Sequence, residues 1–320
     1  MRIDVHAHLW TDDYLDMVER EGPDYLKPNV RFLRKLGGMA TEADLARRFA
    51  LLDEVGVDRQ VLSPAGVPLY TEDAAQTTRL ASAANDIFAG YVDQHPDRFR
   101  AFATLPLPHV DATLAEIERA FDTLGMNGVT IMTSILERPP TDPSFEPVWE
   151  ALDARGAVVF FHPAGVAAGS EHIRSSDLTW NLGATVEDTV CAAQLLFAGI
   201  PVRYPDVKIV IAHLGGALPM VLSRLDDQPD PAFELEVLEP PSEMAKRLWY
   251  DTIGHGNPAA LRCAADCLGA ERLLLGTDFP FINGEAAQHA VRYVGDSGLS
   301  DEDAGRILDA NAAALFGWDR

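Results

Sequence analysis

The sequence predicts an α/β chain wound as a (β/α)8 barrel, the TIM-barrel architecture, and three observations lead there. Eight short apolar, β-branched runs alternate with longer amphipathic segments along 320 residues. Most of the runs are continuously apolar, as strands buried on both faces must be. No Gly-rich phosphate turn follows an early strand, the feature that an open doubly wound sheet usually carries.

The elements follow in order. RIDVHAH (2–8) reads as the first strand, and a long connection, 9–40, leaves it. TEADLARRFALLDEVG (41–56) reads as a helix, because Leu45, Phe49, Leu52 and Val55 recur every three or four positions. Thr41 with Asp44 caps its start and Gly56 stops it. RQVLSP (59–64), FRAFATLP (99–106), GVTIMT (128–133) and AVVFFHP (157–163) continue the strands, with helical stretches at 74–95 and 111–125 between them. A second long connection, 164–184, precedes the helix ATVEDTVCAAQLLFAGI (184–200). KIVIAHLGG (208–216), LWYDTI (248–253) and RLLLGTDFP (272–280) complete the eight, and the Pro-rich 228–241 reads as an excursion on the helix side. With no internal repeat and no separating linker, residues 1–320 read as a single domain. In a barrel, 9–40 and 164–184 emerge at the C-terminal ends of the strands, where active sites are built, so both are expected to act as lids.

Composition narrows the function. Apolar residues make up 47% and charged ones 23%, ordinary globular material. Lys and Arg number 26 against 49 Asp and Glu, a net charge of −23 that repels phosphate backbones and excludes nucleic acid as a partner. No run reaches the ~18 apolar residues of a membrane helix. The three cysteines, Cys191, Cys263 and Cys267, form no disulfide framework, and the N-terminus carries no leader pattern. A cytoplasmic location is expected.

Four histidines and an aspartate stand at strand ends: His6 and His8 on the first, His162 on the fifth, His213 on the sixth and Asp278 on the eighth. Side chains two apart on a strand share a face, so His6 and His8 can both point to the barrel axis. Taken singly, a near-terminal His-x-His or a histidine after an apolar run is as well explained by core packing. Together, three nitrogens and one oxygen make a site for zinc, with manganese, iron or cobalt as substitutes. His213, beside a Gly pair that permits close approach, is then spare and able to move protons on a bound water or substrate.

DVHAHLW, FFHPAG, AHLGG and GTDFPF, in that order, resemble the mononuclear-metal branch of the amidohydrolase superfamily. The resemblance is nearest to the decarboxylases typified by 2-amino-3-carboxymuconate-6-semialdehyde decarboxylase, and WNLGATVEDT (180–189) and WYDTIGH (249–255) extend it over nearly the whole chain. It implies a divalent metal on His6, His8, His162 and Asp278, with His213 as the proton carrier. The fourth strand, GVTIMTS, has no lysine to be carboxylated, so the resemblance implies one metal rather than two. It also implies that Trp180 and Phe281 wall the substrate, that Asp251 and His255 support the site, and that the protein is a homodimer.

Lys27, Arg31, Arg34 and Lys35 cluster in the first connection, within a chain that is otherwise acidic. A cationic flap over a metal suits a small-molecule carboxylate, whose two oxygens an arginine can grip. The resembling decarboxylases use one arginine from this connection, and the sequence leaves Arg31 and Arg34 both open. The expected activity is non-oxidative decarboxylation of an unsaturated or aromatic carboxylic acid. The alternative on the same metal is hydrolysis or hydration of a lactone, an amide or an unsaturated acid. A catalytically silent binding barrel would be expected to lack a ligand, whereas all four are present.

Overall fold

The computed structural model describes residues 1–22, 27–36, 40–64, 69–227 and 239–318. Strand β1 (Ile3–His8) pairs in parallel with β2 (Arg59–Ser63), and β2 with β3 (Phe99–Ala101). The third barrel strand breaks at Phe102 and resumes as β4 (Ala103–Thr104), the N–H of Phe102 still donating to Leu62 O at 2.9 Å. From there β5 (Gly128–Met132), β6 (Val158–His162), β7 (Lys208–Ile211), β8 (Trp249–Asp251) and β9 (Leu273–Leu274) follow, each parallel to the last.

Closure is made beyond the short β9. Val5 N–H donates to Leu275 O at 2.9 Å, Asp278 N–H to His6 O at 2.8 Å and His8 N–H to Phe279 O at 2.7 Å. The first and last strands are thus laced together, and eight parallel strands form the barrel that the alternation predicted. Val5, Val61, Phe102, Val158, Phe160, Val210, Ala212 and Leu274 belong to one buried apolar cluster, against which Ala312 and Leu315 pack from the C-terminal helix.

The first connection holds two helices, α1 (Asp12–Glu21) and α2 (Lys27–Leu36), so it is not an open loop. Helix α3 (Glu42–Val55) has both halves of the capping box between Thr41 and Asp44, and Gly56 ends it at φ +69°. Helices α4 (Ala74–Gln94), α5 (Val110–Glu118) and α6 (Glu146–Asp153) cover the next strands. The helix expected over 111–125 loosens after Glu118 into a wider π turn at Arg119–Thr123.

The second long connection holds a short turn at Ala167–Gly169, α7 (Glu171–Ser175) and a π turn at Thr179–Gly183. Helices α8 (Ala184–Phe197), α9 (Ile200–Arg203), α10 (Leu218–Asp226), α11 (Pro241–Ala245), α12 (Pro258–Leu268), α13 (Gly284–Gly295), α14 (Asp301–Gly305) and α15 (Asn311–Phe316) complete the outer layer. Residues 228–238, most of the expected Pro-rich excursion, lie outside the described residues, as do 23–26 and 37–39 of the first connection. Among the described residues no helix is long and apolar enough to cross a membrane. Cys191 is buried in the core, while Cys263 and Cys267 are half-buried and none is in a disulfide.

Candidate metal centre

One irregularity in β1 sets the site. Between Asp4 and Ala7 the strand advances three residues while β2 advances two, Gln60 to Leu62. Because side chains alternate, an odd insertion changes which face the following residues present. Asp4 therefore meets Gln60, which in turn meets Arg48 of α3, while His6 and His8 turn to the axis. There the His6 ring lies edge-on to Phe160 at 4.9 Å and to His162 at 5.1 Å.

The GTD of the last barrel strand completes the construction. Any side chain on Gly276 would meet Asp251 Cβ at 2.9 Å and His6 Cβ at 3.2 Å, so glycine is what lets those two residues converge. Thr277 donates to the buried Asp4 at 2.6 Å from its hydroxyl and 2.9 Å from its N–H. Asp278 then turns at φ +60°, bringing its carboxylate to the histidines.

The ligand atoms of His6, His8, His162 and Asp278 all lie within 4.8 Å of one another. Each imidazole is held from behind at Nδ1. His6 Nδ1 donates to Asp251 at 2.7 Å, His8 Nδ1 to Ser63 O at 3.2 Å, and His162 Nδ1 to Pro163 O at 3.0 Å. These acceptors select the tautomer that leaves Nε2 free as a ligand. His6 and His8 then face each other Nε2 to Nε2 at 3.0 Å, with Asp278 Oδ1 at 3.4 and 3.1 Å from them. Two lone pairs at that distance repel unless a cation or a shared proton lies between them, so the donor set fits a divalent metal.

The electrostatics agree. Burial holds His162 well below its ordinary pKa and lowers His8, keeping both rings neutral as ligands must be. Burial opposes charge on His6 as well, but Asp251 and Asp278 outweigh it and lift His6 to about 10. Asp278 is also pushed upward by burial, yet His6 and His8 carry it well below the usual carboxylate range. The centre attracts positive charge.

His213 stands beside this group and outside it, its ring 5.3 Å from His6 and 6.1 Å from His162. Four consecutive residues, His213 to Gly216, have positive φ and fold the chain sharply after β7. Its N–H donates to Asp251 Oδ1 at 2.9 Å and its Nδ1 to Asp188 Oδ2 at 2.8 Å. Burial lowers the His213 pKa, but Asp188 more than compensates and the net shift is upward.

The expected role of the Gly pair is resolved as well: a Cβ on Gly216 would sit 2.0 Å from Thr185 O, so it is the backbone of α8 that approaches. Gly216→Ala should therefore destabilise the fold by about 1–3 kcal/mol and loosen His213. A thermal melt with kinetics on the same sample measures both.

The site opens into a cavity of about 680 Å³, lined by His162, His213, Asp278, Trp180, Phe281 and His255 among others. Phe281 lies edge-on to His8 at 5.4 Å and is stacked at 6.1 Å on Phe32 of α2. Trp180 covers Gly165 from the π turn of the second connection, where a Cβ would meet its ring at 2.8 Å. His255 is exposed at the rim with φ +48°. Asp251 is fully buried behind His6 and His213.

The two arginines are placed elsewhere. Arg34 is bound by Asp16 and by Glu19 at 3.2 Å, both on α1. Arg31 is exposed, its Nε donating to Lys27 O of its own helix at 3.3 Å. Neither is among the residues lining the cavity. Of the four cations of this segment Arg34 is held by acids of α1, and none of the four is among the residues lining the cavity. Arg31→Ala and Arg34→Ala should each leave kcat/KM within about threefold, since exposed ion pairs contribute about 0–1 kcal/mol.

Asp188 and Glu187 went unnoticed in the sequence. Both are buried on α8, in step with Ala184, Cys191 and Leu195 along its apolar stripe. An acid on such a stripe is the signal that would have found them.

A parallel barrel that gathers three imidazoles and a carboxylate at its C-terminal mouth defines the class, a metal-binding barrel. The chain belongs to the amidohydrolase family, whose model matches residues 3–318. It is 27% identical over 338 aligned residues to 2-amino-3-carboxymuconate-6-semialdehyde decarboxylase of Dictyostelium discoideum, covering 100% of this chain and 92% of that protein. To γ-resorcylate decarboxylase of Polaromonas sp. it is 29% identical over 294 residues, 86% of this chain and 87% of the relative. The solved dihydroxybenzoic acid decarboxylase of Polaromonas sp., with bound manganese and the inhibitor 2-nitroresorcinol, superposes with a TM-score of 0.81 at 26% identity, covering 100% of this chain and 97% of that one.

Proposed function

We propose that the protein is a metal-dependent, non-oxidative decarboxylase of an aromatic or unsaturated carboxylic acid. The observation that carries this reading is His213: a hydrogen-bonded imidazole beside the metal cluster but outside it, lining the same cavity as Asp278 and Phe281. Loss of carbon dioxide leaves an electron pair on carbon, so such a site needs a proton donor and a sink for negative charge. The decarboxylase names of relatives along the whole chain support the same reaction class.

His6, His8, His162 and Asp278 would hold one divalent ion. Mixed imidazole and carboxylate ligation favours zinc, and the manganese of the solved relative makes that ion the alternative. When bound, the ion supplies a Lewis acid for a substrate oxygen. Phe281 and Trp180 would give a planar substrate apolar aromatic surface, and the two connections would act as lids that limit water. His213 delivers the proton that replaces the carboxylate.

The cavity also bears on the substrate. Among the described residues its lining includes no lysine or arginine, and of the segments outside them only 319–320 contains one, Arg320. A second carboxylate on the substrate would enter without a cationic partner, at a cost of several kcal/mol. A monocarboxylic acid is the better fit.

The test is carbon dioxide release by metal-loaded enzyme from a panel of mono- and dicarboxylic hydroxybenzoates and semialdehyde acids. Monocarboxylates should exceed dicarboxylates about 100-fold or more in kcat/KM. Release of an amine or opening of a lactone, with no carbon dioxide from any acid, would move the protein to hydrolysis.

A further inference from the structure

We infer that Asp188 is a positioning residue for proton delivery, holding His213 in the tautomer and orientation that turn its Nε2 towards the metal cavity. The kinetic half of this inference rests on the decarboxylase reading; the structural half does not.

Two adjacent acids on α8, Glu187 and Asp188, are buried, and they are used differently. Glu187 accepts from Thr133 Oγ1 at 2.7 Å, Ala164 N–H at 2.8 Å and Ala167 N–H at 2.6 Å. Both of its oxygens are occupied, and it ties the loop after β6 to β5 and α8. Asp188 is fully buried, yet its one hydrogen bond among the described residues goes to His213 Nδ1 at 2.8 Å, and Oδ1 has no partner.

An unpartnered buried carboxylate oxygen costs about 1–3 kcal/mol or more. A group used only to hold the fold together would be expected to satisfy both oxygens, as its neighbour does. The arrangement around it serves His213: Gly216 admits α8 to the turn after β7, and Asp251 fixes the His213 backbone N–H from the other side. The ring is held at both ends, and Nε2 is the nitrogen left over.

In the reaction, the electron pair of the breaking C–C bond takes the Nε2 proton, a C–H bond forms and carbon dioxide departs. The imidazole left behind keeps its proton on Nδ1, the atom from which Asp188 accepts, and a proton from water restores the cation. An asparagine at 188 can donate to Nδ1 instead, favouring the opposite tautomer with the proton retained on Nε2.

The experiment is Asp188→Asn in the zinc-loaded protein, read by steady-state kinetics and by ¹⁵N NMR of labelled histidine, with His213 assigned by its loss in His213→Asn. A fall in kcat of about 100-fold or more is expected, with KM within threefold and metal content unchanged. Recorded at a pH high enough to keep the ring neutral, the His213 resonances should move from the Nδ1-protonated to the Nε2-protonated pattern. Should that variant not fold, Asp188→Ala, which also removes the unpartnered oxygen, is read in the same two ways: loss of the Nδ1-protonated pattern and the same fall in kcat are expected. An unchanged His213 tautomer overturns the inference whatever the rate, and so does a kcat within threefold of wild type. If wild type decarboxylates nothing, the proposed function fails while the NMR reading still decides the role of Asp188.

Discussion

His162→Ala is expected to empty the metal site and to lower turnover by about 10³-fold or more. A Lewis acid contributes several kcal/mol to stabilising developing charge, and each 1.36 kcal/mol is about tenfold in rate. His162 is the cleanest of the four positions to test. Its Nδ1 serves only Pro163 O, and its Nε2 faces the cluster. His6→Ala would also strip Asp251 of its side-chain partner, and His8→Ala would free the Ser63 hydroxyl. Elemental analysis after dialysis should find about 0.1 equivalent of metal or less in the variant, with a thermal melt showing that the fold persists. A full equivalent of metal with more than a tenth of the activity would remove His162 from the ligand set.

The parts of this molecule that were legible in its sequence are those whose physics is local. Thr41, Asp44 and Gly56 bound α3 because capping needs only residues three or four apart. The metal cluster was legible because a polar residue closing an apolar strand of a parallel barrel is carried to one end of it, so separate motifs converge without any pairing being known. The setting of Arg34 was hidden for the opposite reason. Its partners Asp16 and Glu19 lie on another helix, and whether a lysine- or arginine-rich segment faces a metal or a neighbouring acidic helix depends on how two helices cross. The irregularity between Asp4 and Ala7 was equally hidden, since it is defined against β2, more than fifty residues away. The net charge of −23 located neither feature; sign matters only where side chains are placed.

His213→Ala should separate the two functions of the site. General acid catalysis by a positioned imidazole contributes about 10²–10⁴-fold, and kcat should fall by that amount while a full equivalent of metal stays bound. His213 is not within the group of converging ligand atoms, and the histidines that are keep their own Nδ1 partners. Residues that act as one unit do not add. If Asp188 works only through His213, Asp188→Asn in the His213→Ala background should cost less than about threefold further, although alone it costs about 100-fold. Equal penalties in both backgrounds would mean that the buried carboxylate acts on something other than this ring. Retained turnover in His213→Ala itself would take the proton from His213 and leave the metal cluster and its carboxylate, Asp278, as the remaining place to look for the donor.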